Sequence, residues 1–503
     1  MTDANRTRVG IVEEISFGVI PTSPAFQIQR FTSSSLVFNP TTVTSNEIRS
    51  DRQVADLILV GAEASGDLGF ELSFGSYDTL FEGAFFNDWV ETPNRVGAQI
   101  SNVNTTPGAI GVTSGGAAFL PMLLVKTSGF ALSANNKVVE VTTGGSGTSI
   151  PFVSPSFSSE ASPPTTARLK VVGLRGDAGD ISSNSGGKYI ESAGDTVFTD
   201  FTYSAGVRDW GLRAGMWVKL KGFATAANNG FARIASITAT RITFDVVPTG
   251  WATESAPVTS VDILFGDYIR NGIVEKSYSV QQAYLANAQY QYLRGMEVSS
   301  LALSLESQSI MTGTFSLMGK DGQYCPASFT GNLAFADATD VVAVTSGVPT
   351  GATLIDSSVT DVLNTSSNVG RIAENGVRIS GPNYVMSAQF TIENNLRMQN
   401  AIGSLGAIGI GVGTCTITGT LNAYFGDATL LAKVIGNTAT SFDFVVGRDD
   451  TGYMLFDMPR VKFSSGTTPV SGINTDVMQE LGFQAIMDKV LGYQIHCQKF
   501  EYV

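Results

Sequence analysis

Apolar and polar residues alternate with a period of two along most of this chain, and clusters of Gly, Ser, Thr and Asn interrupt the runs. That is the pattern of half-buried strands separated by turns. Leu68–Phe74, Leu301–Leu305, Thr312–Leu317 and Thr416–Tyr424 are the clearest runs. Their apolar positions can cover one sheet face while Ser, Thr and Glu point the other way. Helical periodicity is scarce. Tyr77–Asp88 places Tyr77, Leu80, Phe81, Ala84 and Phe85 on one side, with Ser76 as the expected N-cap. Asp427–Val434 is a second helix candidate, and Thr475–Leu481 reads as a short helical turn.

Two stretches have the composition of loops, Thr142–Pro164 and Thr345–Asn368. Between them, residues 165–268 hold Trp210, Trp217 and Trp251 and three closely spaced alternating runs, Trp217–Leu220, Phe231–Ile234 and Arg241–Val246. Such spacing predicts a small β-barrel or sandwich inserted as a separate unit.

Part of the pattern recurs. Gly66–Phe85 reads strand, turn, helix, and so does Gly413–Val434. The two align Leu72 with Leu421 and, after a one-residue slip, Leu80 with Leu430. Ser277–Val280, Tyr290–Val298 and Thr312–Lys320 then correspond in order to Ser441–Phe444, Tyr453–Val461 and Asp476–Lys489. The expected organisation is mainly β, with two tandem β-sandwich units each flanked by a helix. Residues 1–24 form an N-terminal arm, and 25–130 with 270–322 form a discontinuous first unit. Residues 131–269 are a linker and the inserted domain, 323–364 a linker or long loop, and 365–503 the second unit.

Composition narrows the function. Of 503 residues only 15% are charged and 43% are hydrophobic, which excludes a disordered chain. The net charge of −13 argues against a phosphate-gripping surface, which needs clustered Lys and Arg. No run of 18 apolar residues occurs, so no membrane anchor is expected. The three cysteines, Cys325, Cys415 and Cys497, lack metal or redox spacing. The single histidine, His496, adjoins Cys497 in an alternating run, where neighbours point to opposite faces and form no dyad. Glu13–Glu14, Asp337 with Asp340, and Asp449–Asp450 are acidic pairs without a catalytic constellation. The Gly406–Gly413 run has no Walker lysine and suits a tight strand. Basic residues such as Arg294, Arg371, Arg378 and Arg460 are scattered and read as ion-pair partners. No enzyme activity, cofactor or metal is expected.

A duplicated, Gly/Ser/Thr-rich β protein without a catalytic set points to a structural building block. The run Thr44–Asp56 with its continuation Gly66–Asp78 resembles the tail tube proteins (major tail proteins) of long-tailed bacteriophages. So do Glu393–Arg397, Gly419–Leu421, Pro459–Lys462, Gly472–Met478 and Phe483–Ala485. The resemblance covers about 8–130 and 270–503 and leaves the insert outside, as an outward decoration. It implies units that close side by side into a β-barrel around a channel for DNA. Stacked rings form the tube of a virion tail, assembled in the host cytoplasm around a tape-measure protein between tip and terminator proteins. Two units per chain would make a trimer a pseudo-hexameric ring, with a hexamer of chains as the second possibility. Inter-subunit contacts are expected at Asn46, Arg49, Asp51, Arg52 and Asp56, and at the corresponding Asn394 and Arg397. Two other readings share the sequence features: the tube of a contractile tail or secretion needle, and a carbohydrate-binding adhesin or fibre displaying Trp210, Trp217 and Trp251.

Overall fold

A computed structural model describes residues 3–502 except 106–107, 154–156, 193–209, 256–258, 336–340, 380–381 and 471. Asp337 and Asp340 therefore lie outside the described residues. The chain is mainly β, with two α-helices among the described residues. The first set of strands is β1 (Thr7–Glu13), β2 (Ala25–Gln29), β3 (Ser33–Ser34), β4 (Val37–Thr44) and β5 (Leu57–Glu71), followed by α1 (Asp78–Phe85). After a long excursion come β6 (Tyr278–Tyr284), β7 (Gln289–Glu306) and β8 (Thr312–Gly319). The last part holds β9 (Val369–Glu374), β10 (Val385–Glu393), β11 (Thr416–Tyr424), α2 (Thr429–Ile435), β12 (Thr440–Arg448), β13 (Gly452–Thr467), β14 (Met478–Ala485) and β15 (His496–Phe500).

One order of antiparallel pairing occurs twice. β1 pairs β6, β6 pairs β7, β7 pairs β8, β8 pairs β5, and β5 pairs β3 and β4. In the last part β9 pairs β12, β12 pairs β13, β13 pairs β14, β14 pairs β11, and β11 pairs β10. The bulges coincide as well. On β7 the register shifts between Leu293 and Met296 and again between Val298 and Ser300. On β13 it shifts between Met458 and Val461 and again between Phe463 and Ser465. Superposing the bulges puts Val298 on Phe463, Leu317 on Phe483 and Gly66 on Gly419. Both glycines sit where neighbouring backbone would meet a Cβ, at Ser35 O between β3 and β4 and at Gln389 O on β10. This register places Leu68, not Leu72, on Leu421. Side-chain identity cannot reveal the bulges, each of which adds an unpaired residue.

The two sets join edge to edge. β7 pairs β10 from Ser300↔Glu393 to Glu306↔Ser387. The result is one sheet ordered β3/β4, β5, β8, β7, β10, β11, β14, β13. Its inner face packs on one aromatic core. Phe70 stacks on Phe315 at 4.7 Å and Phe444 on Phe456 at 4.9 Å. From α1, Phe81 reaches both Phe315 (5.9 Å) and Phe456 (6.2 Å), so the helix ties the two halves together. As the sequence predicts, Leu80, Phe81, Ala84 and Phe85 of α1 are buried. The N-cap position falls on Tyr77 rather than Ser76 and carries no side-chain cap; the Ser76 hydroxyl instead accepts a bond from Ser73 at 2.6 Å. Thr475–Leu481 is not a helical turn: Gln479, Leu481, Phe483 and Ala485 face inward alternately along β14.

Residues 94–130, which the sequence assigns to the first unit, carry strands that pair with the inserted segment: Leu123–Ser128 lies beside Arg168–Gly176. The insert has its own core, including Trp210, Val218, Ile234 and Phe244. Trp251 packs edge-on to Phe223 and Phe244. Residues 323–364, read above as linker or loop, hold short strands, among them Gly331–Ala334 paired with Val341–Thr345. The N-terminal arm contains β1, paired with both β2 and β6.

The insert is fastened to the second half. Trp217 is fully buried against Val445, Leu455 and Phe500. Its backbone N–H donates to Gln498 Oε1 (2.8 Å), and Gln498 Nε2 donates back to its carbonyl (2.8 Å). Arg233 of the insert donates through Nη1 to both carboxylate oxygens of Asp457 on β13, at 2.9 and 3.0 Å.

Candidate assembly surface

The outer face of the eight-strand sheet is built from the polar half of each alternating strand. Reading across the strands gives four rows. The first is Asp67, Ser316, Ser300, Glu393, Thr416. The second is Gly69, Thr314, Ala302, Thr391, Thr418, Gln484, Lys462. Glu71, Thr312, Ser304, Gln389, Thr420, Gly482 and Ser465 form the third. Glu306, Ser387, Asn422, Glu480 and Thr467 form the fourth. Apart from Glu71 and Lys462 at their lateral ends, the middle rows are hydroxyls, amides and small residues. Five carboxylates (Asp67, Glu71, Glu306, Glu393, Glu480) face a single amine, Lys462. Sequence reasoning did not single out these acids. Their signal was the polar phase of strands already recognised as alternating.

Two hairpins leave this sheet at the same end, beyond the Asp67–Glu393 row. The longer continues β4 and β5 to a tip at residues 45–56. The shorter pairs Arg397–Gln399 with Gly409–Gly411, the tight strand expected of the Gly-rich run. They touch where Ala62 N–H donates to Leu405 O at 2.7 Å. On the long hairpin Val43, Ile48, Val54, Leu57, Ile58, Leu59 and Val60 are each at least 47% exposed. Four consecutive exposed apolar residues leave neither strand face polar, a pattern that asks for a partner rather than for water.

The expected contact residues divide. Asn46, Arg49, Asp51, Arg52 and Asp56 all lie at the long tip and are exposed, apart from half-buried neighbours. Arg49 and Asp51 form a forked ion pair (3.1 and 2.8 Å), which holds Asp51 below its usual range. Arg52 adopts a positive φ of 60° in the turn, and Asp56 caps its own hairpin by accepting from Leu57 N (2.7 Å). Arg397 is exposed at the base of the short hairpin. Asn394 is different. It is buried, and its Nδ2 donates to Ala84 O (3.1 Å) and Val298 O (3.0 Å), so it ties the hairpin to α1 and β7 within the chain.

The other candidate chemistry is structural. Glu14 is buried and accepts from Gly18 N, Gly295 N, Ser277 and Ser279. Burial pushes its carboxyl up while these donors oppose the shift. Asp449 and Asp450 are exposed after β12, where Asp450 pairs with Arg448 (3.0 Å). His496 is fully buried and held well below its usual range by burial and by Arg270, so it is a neutral ring accepting from Arg270 at 3.2 Å. Arg294 pairs with Asp321 (2.5 Å) and Arg371 with Asp443 (2.5 Å), both inside the fold. Trp210 and Trp217 are buried, which removes them from any sugar-binding face. Among the described residues no group of three or more His, Cys, Asp or Glu is placed to hold a metal, and no helix is long and apolar enough to cross a membrane.

No curated protein matches the chain. The family model described as "Phage tail tube protein" matches residues 4–485, insert included. A strand-built chain whose polar sheet face and protruding apolar hairpins suit self-assembly thus belongs to the phage tail tube protein family, as a structural subunit of the tail tube.

Proposed function

We propose that the chain is a duplicated tube unit, and that three copies close into a pseudo-hexameric ring whose wall is the eight-strand sheet. The observation that carries this reading is the outer face of that sheet. Its middle is uncharged and hydrogen-bonding, and its ends carry five carboxylates against one amine. Facing a lumen, it repels phosphates at short range and offers no cationic grip, so DNA slides rather than sticks. Screening at physiological salt over about 8 Å keeps the repulsion close to the wall.

Rings stack through the hairpins: Asn46, Arg49, Asp51, Arg52 and Asp56 at the long tip, and Arg397 at the base of the short hairpin, contact the next ring. Covering each half-exposed Leu, Ile or Val of the long hairpin would contribute about 1 kcal/mol. The insert, fastened to the side of β13 away from the lumen row, decorates the outside of a long, non-contractile virion tail. The tube grows in the host cytoplasm around a tape-measure protein, between tip and terminator proteins.

Negative-stain microscopy with light scattering on the same fractions tests the reading. Hollow tubes with three chains per ring support it. Six chains per ring would retain the tube and end the duplication. A chain that stays monomeric at high concentration and with its tape-measure partner would overturn the assembly altogether.

A further inference from the structure

The eight-strand sheet has two edges without a partner strand among the described residues. One is the end of β13, where Ser465, Gly466 and Thr467 pair only with β14. The other is β4, which pairs only with β5. Ser465, Thr467 and Asn39 are exposed and Val37 is 36% exposed. Pro40 on β4 has no N–H to give a ladder, a residue tolerated in an edge strand. Unguarded edges of this kind invite another strand.

The chain also contains a template for what the edges would do. At its middle, the strand equivalent to β13 already pairs with the strand equivalent to β4: β7 lies antiparallel to β10, with Ser300↔Glu393, Leu301↔Ile392 and Ala302↔Thr391. The shared bulges fix how one pair maps onto the other. Val298 on Phe463 carries Ser300, Leu301 and Ala302 onto Ser465, Gly466 and Thr467. Gly66 on Gly419 carries Glu393, Ile392 and Thr391 onto Asn39, Phe38 and Val37, through the partners of each glycine's strand.

We propose that the edge of β13 pairs antiparallel with β4 of a second copy in one register: Ser465 opposite Asn39, Gly466 opposite Phe38, and Thr467 opposite Val37. This rests on the self-assembling ring proposed above and adds to it a residue-level seam. The chemistry of the two edges agrees with the register. Gly466 and Phe38 continue the core-facing row that Leu301 and Ile392 occupy inside the chain. A side chain on Gly466 would run into Leu431 and Val434 of α2 (2.8 and 3.0 Å), so that position faces the core as Leu301 does. Thr467 and Val37 fall on the polar face, in line with Ala302 and Thr391. Pro469, two residues beyond Thr467, cannot donate to a ladder and limits the seam's length. The two edges lie on opposite sides of one sheet, so the contact is heterologous, the type that forms a ring when its rotation closes, as the proposed trimer requires.

Disulfide trapping tests the register. Thr467→Cys/Val37→Cys is made in a Cys415→Ser background, since Cys415 is the one native thiol that is not buried. Opposed residues of an antiparallel pair have the Cα separation a disulfide needs. Ala302→Cys/Thr391→Cys is the intrachain control at the template seam, and Thr467→Cys/Ser33→Cys is an off-register pair. After assembly is checked by microscopy, mild oxidation of the first variant should move most of the monomer band to two- and three-chain products on a non-reducing gel. The control should remain a single chain with its thiols consumed, and the off-register pair should stay monomeric. Tubes that cross-link only through the off-register pair, or through neither, would overturn the register and leave the tube reading intact. A variant and parent that both fail to assemble or cross-link would overturn the ring itself, and with it the seam.

Discussion

Replacing Arg233 by Met should loosen the joint between the insert and β13. The guanidinium is 7% exposed and Asp457 0%. Burial raises the Asp457 carboxyl, and Arg233 is the charge that opposes the rise. Without it a fully buried carboxylate loses its cation, at a cost of about 3–5 kcal/mol. Asp245, the other partner of Arg233 at 2.7 Å, is 38% exposed and simply rehydrates. For a cooperative unit of 150–250 residues this corresponds to a drop in Tm of roughly 10 °C. The deficit should narrow as the pH falls. An acid whose folded pKa lies above its unfolded value of about 4 takes up its proton first in the folded state, so stability is regained as pH falls from the folded value toward 4. Arg233→Met/Asp457→Leu removes the orphaned charge and should recover to within about 1 kcal/mol of the parent, since apolar replacement of a buried pair is commonly neutral or better. Urea unfolding and thermal melting of the three variants at pH 7 and pH 5, with limited proteolysis of the insert, read this out. A single variant within about 1 kcal/mol of the parent, or a double variant as unstable as the single, would refute the reasoning.

Other expectations follow from the same geometry. Gly419→Ala would drive a methyl into the Phe483 ring and Gln389 O and should destabilise the chain by about 1–3 kcal/mol, measured by urea unfolding; a neutral result would mean the strand can shift. Glu297 is buried, and burial, Glu275 and Glu14 hold its carboxyl up at about 8, so it is a neutral acid at pH 7. Because its folded pKa lies above the unfolded value, stability should fall as pH rises from about 4.5 through 8. Glu297→Gln should flatten that slope in melts taken from pH 6 to 9, and an unchanged slope would show that another group titrates. Glu393→Lys/Glu480→Lys should leave tubes intact by microscopy but make them retain fluorescent DNA at low salt, with retention lost as salt rises. Equal DNA retention by parent and variant tubes would show that this face is not the channel.

Alternation made most of the sheet legible. Leu301–Leu305, Thr312–Leu317 and Thr416–Tyr424 are strands because the period of two is unbroken there. The α1 face was equally plain, since Leu80, Phe81, Ala84 and Phe85 repeat at helical spacing. Thr475–Leu481 reads as a helical turn because Gln479 and Gly482 blur the alternation, and only the pairing of Met478–Ala485 with β11 and β13 resolves it as a strand. The reach of the insert back to residue 94 was hidden for another reason. Leu123–Ser128 is an ordinary strand by composition, and its partner Arg168–Gly176 lies some forty residues on. Among the contact candidates, the tip from Asn46 to Asp56 stood out by its charge density. The inward turn of Asn394 did not, because its partners Ala84 and Val298 are set by tertiary structure.

The two hairpins are unequal: one is long, apolar and free at its tip, and the other is short and pinned through Asn394. In the proposed ring of three chains the two kinds would alternate around the rim. Neighbouring rings then cannot be turned by one sixth of a revolution without setting long hairpins where short ones fit. Only turns of one third are equivalent, so the inequality acts as a key that halves the angular choices at each added layer.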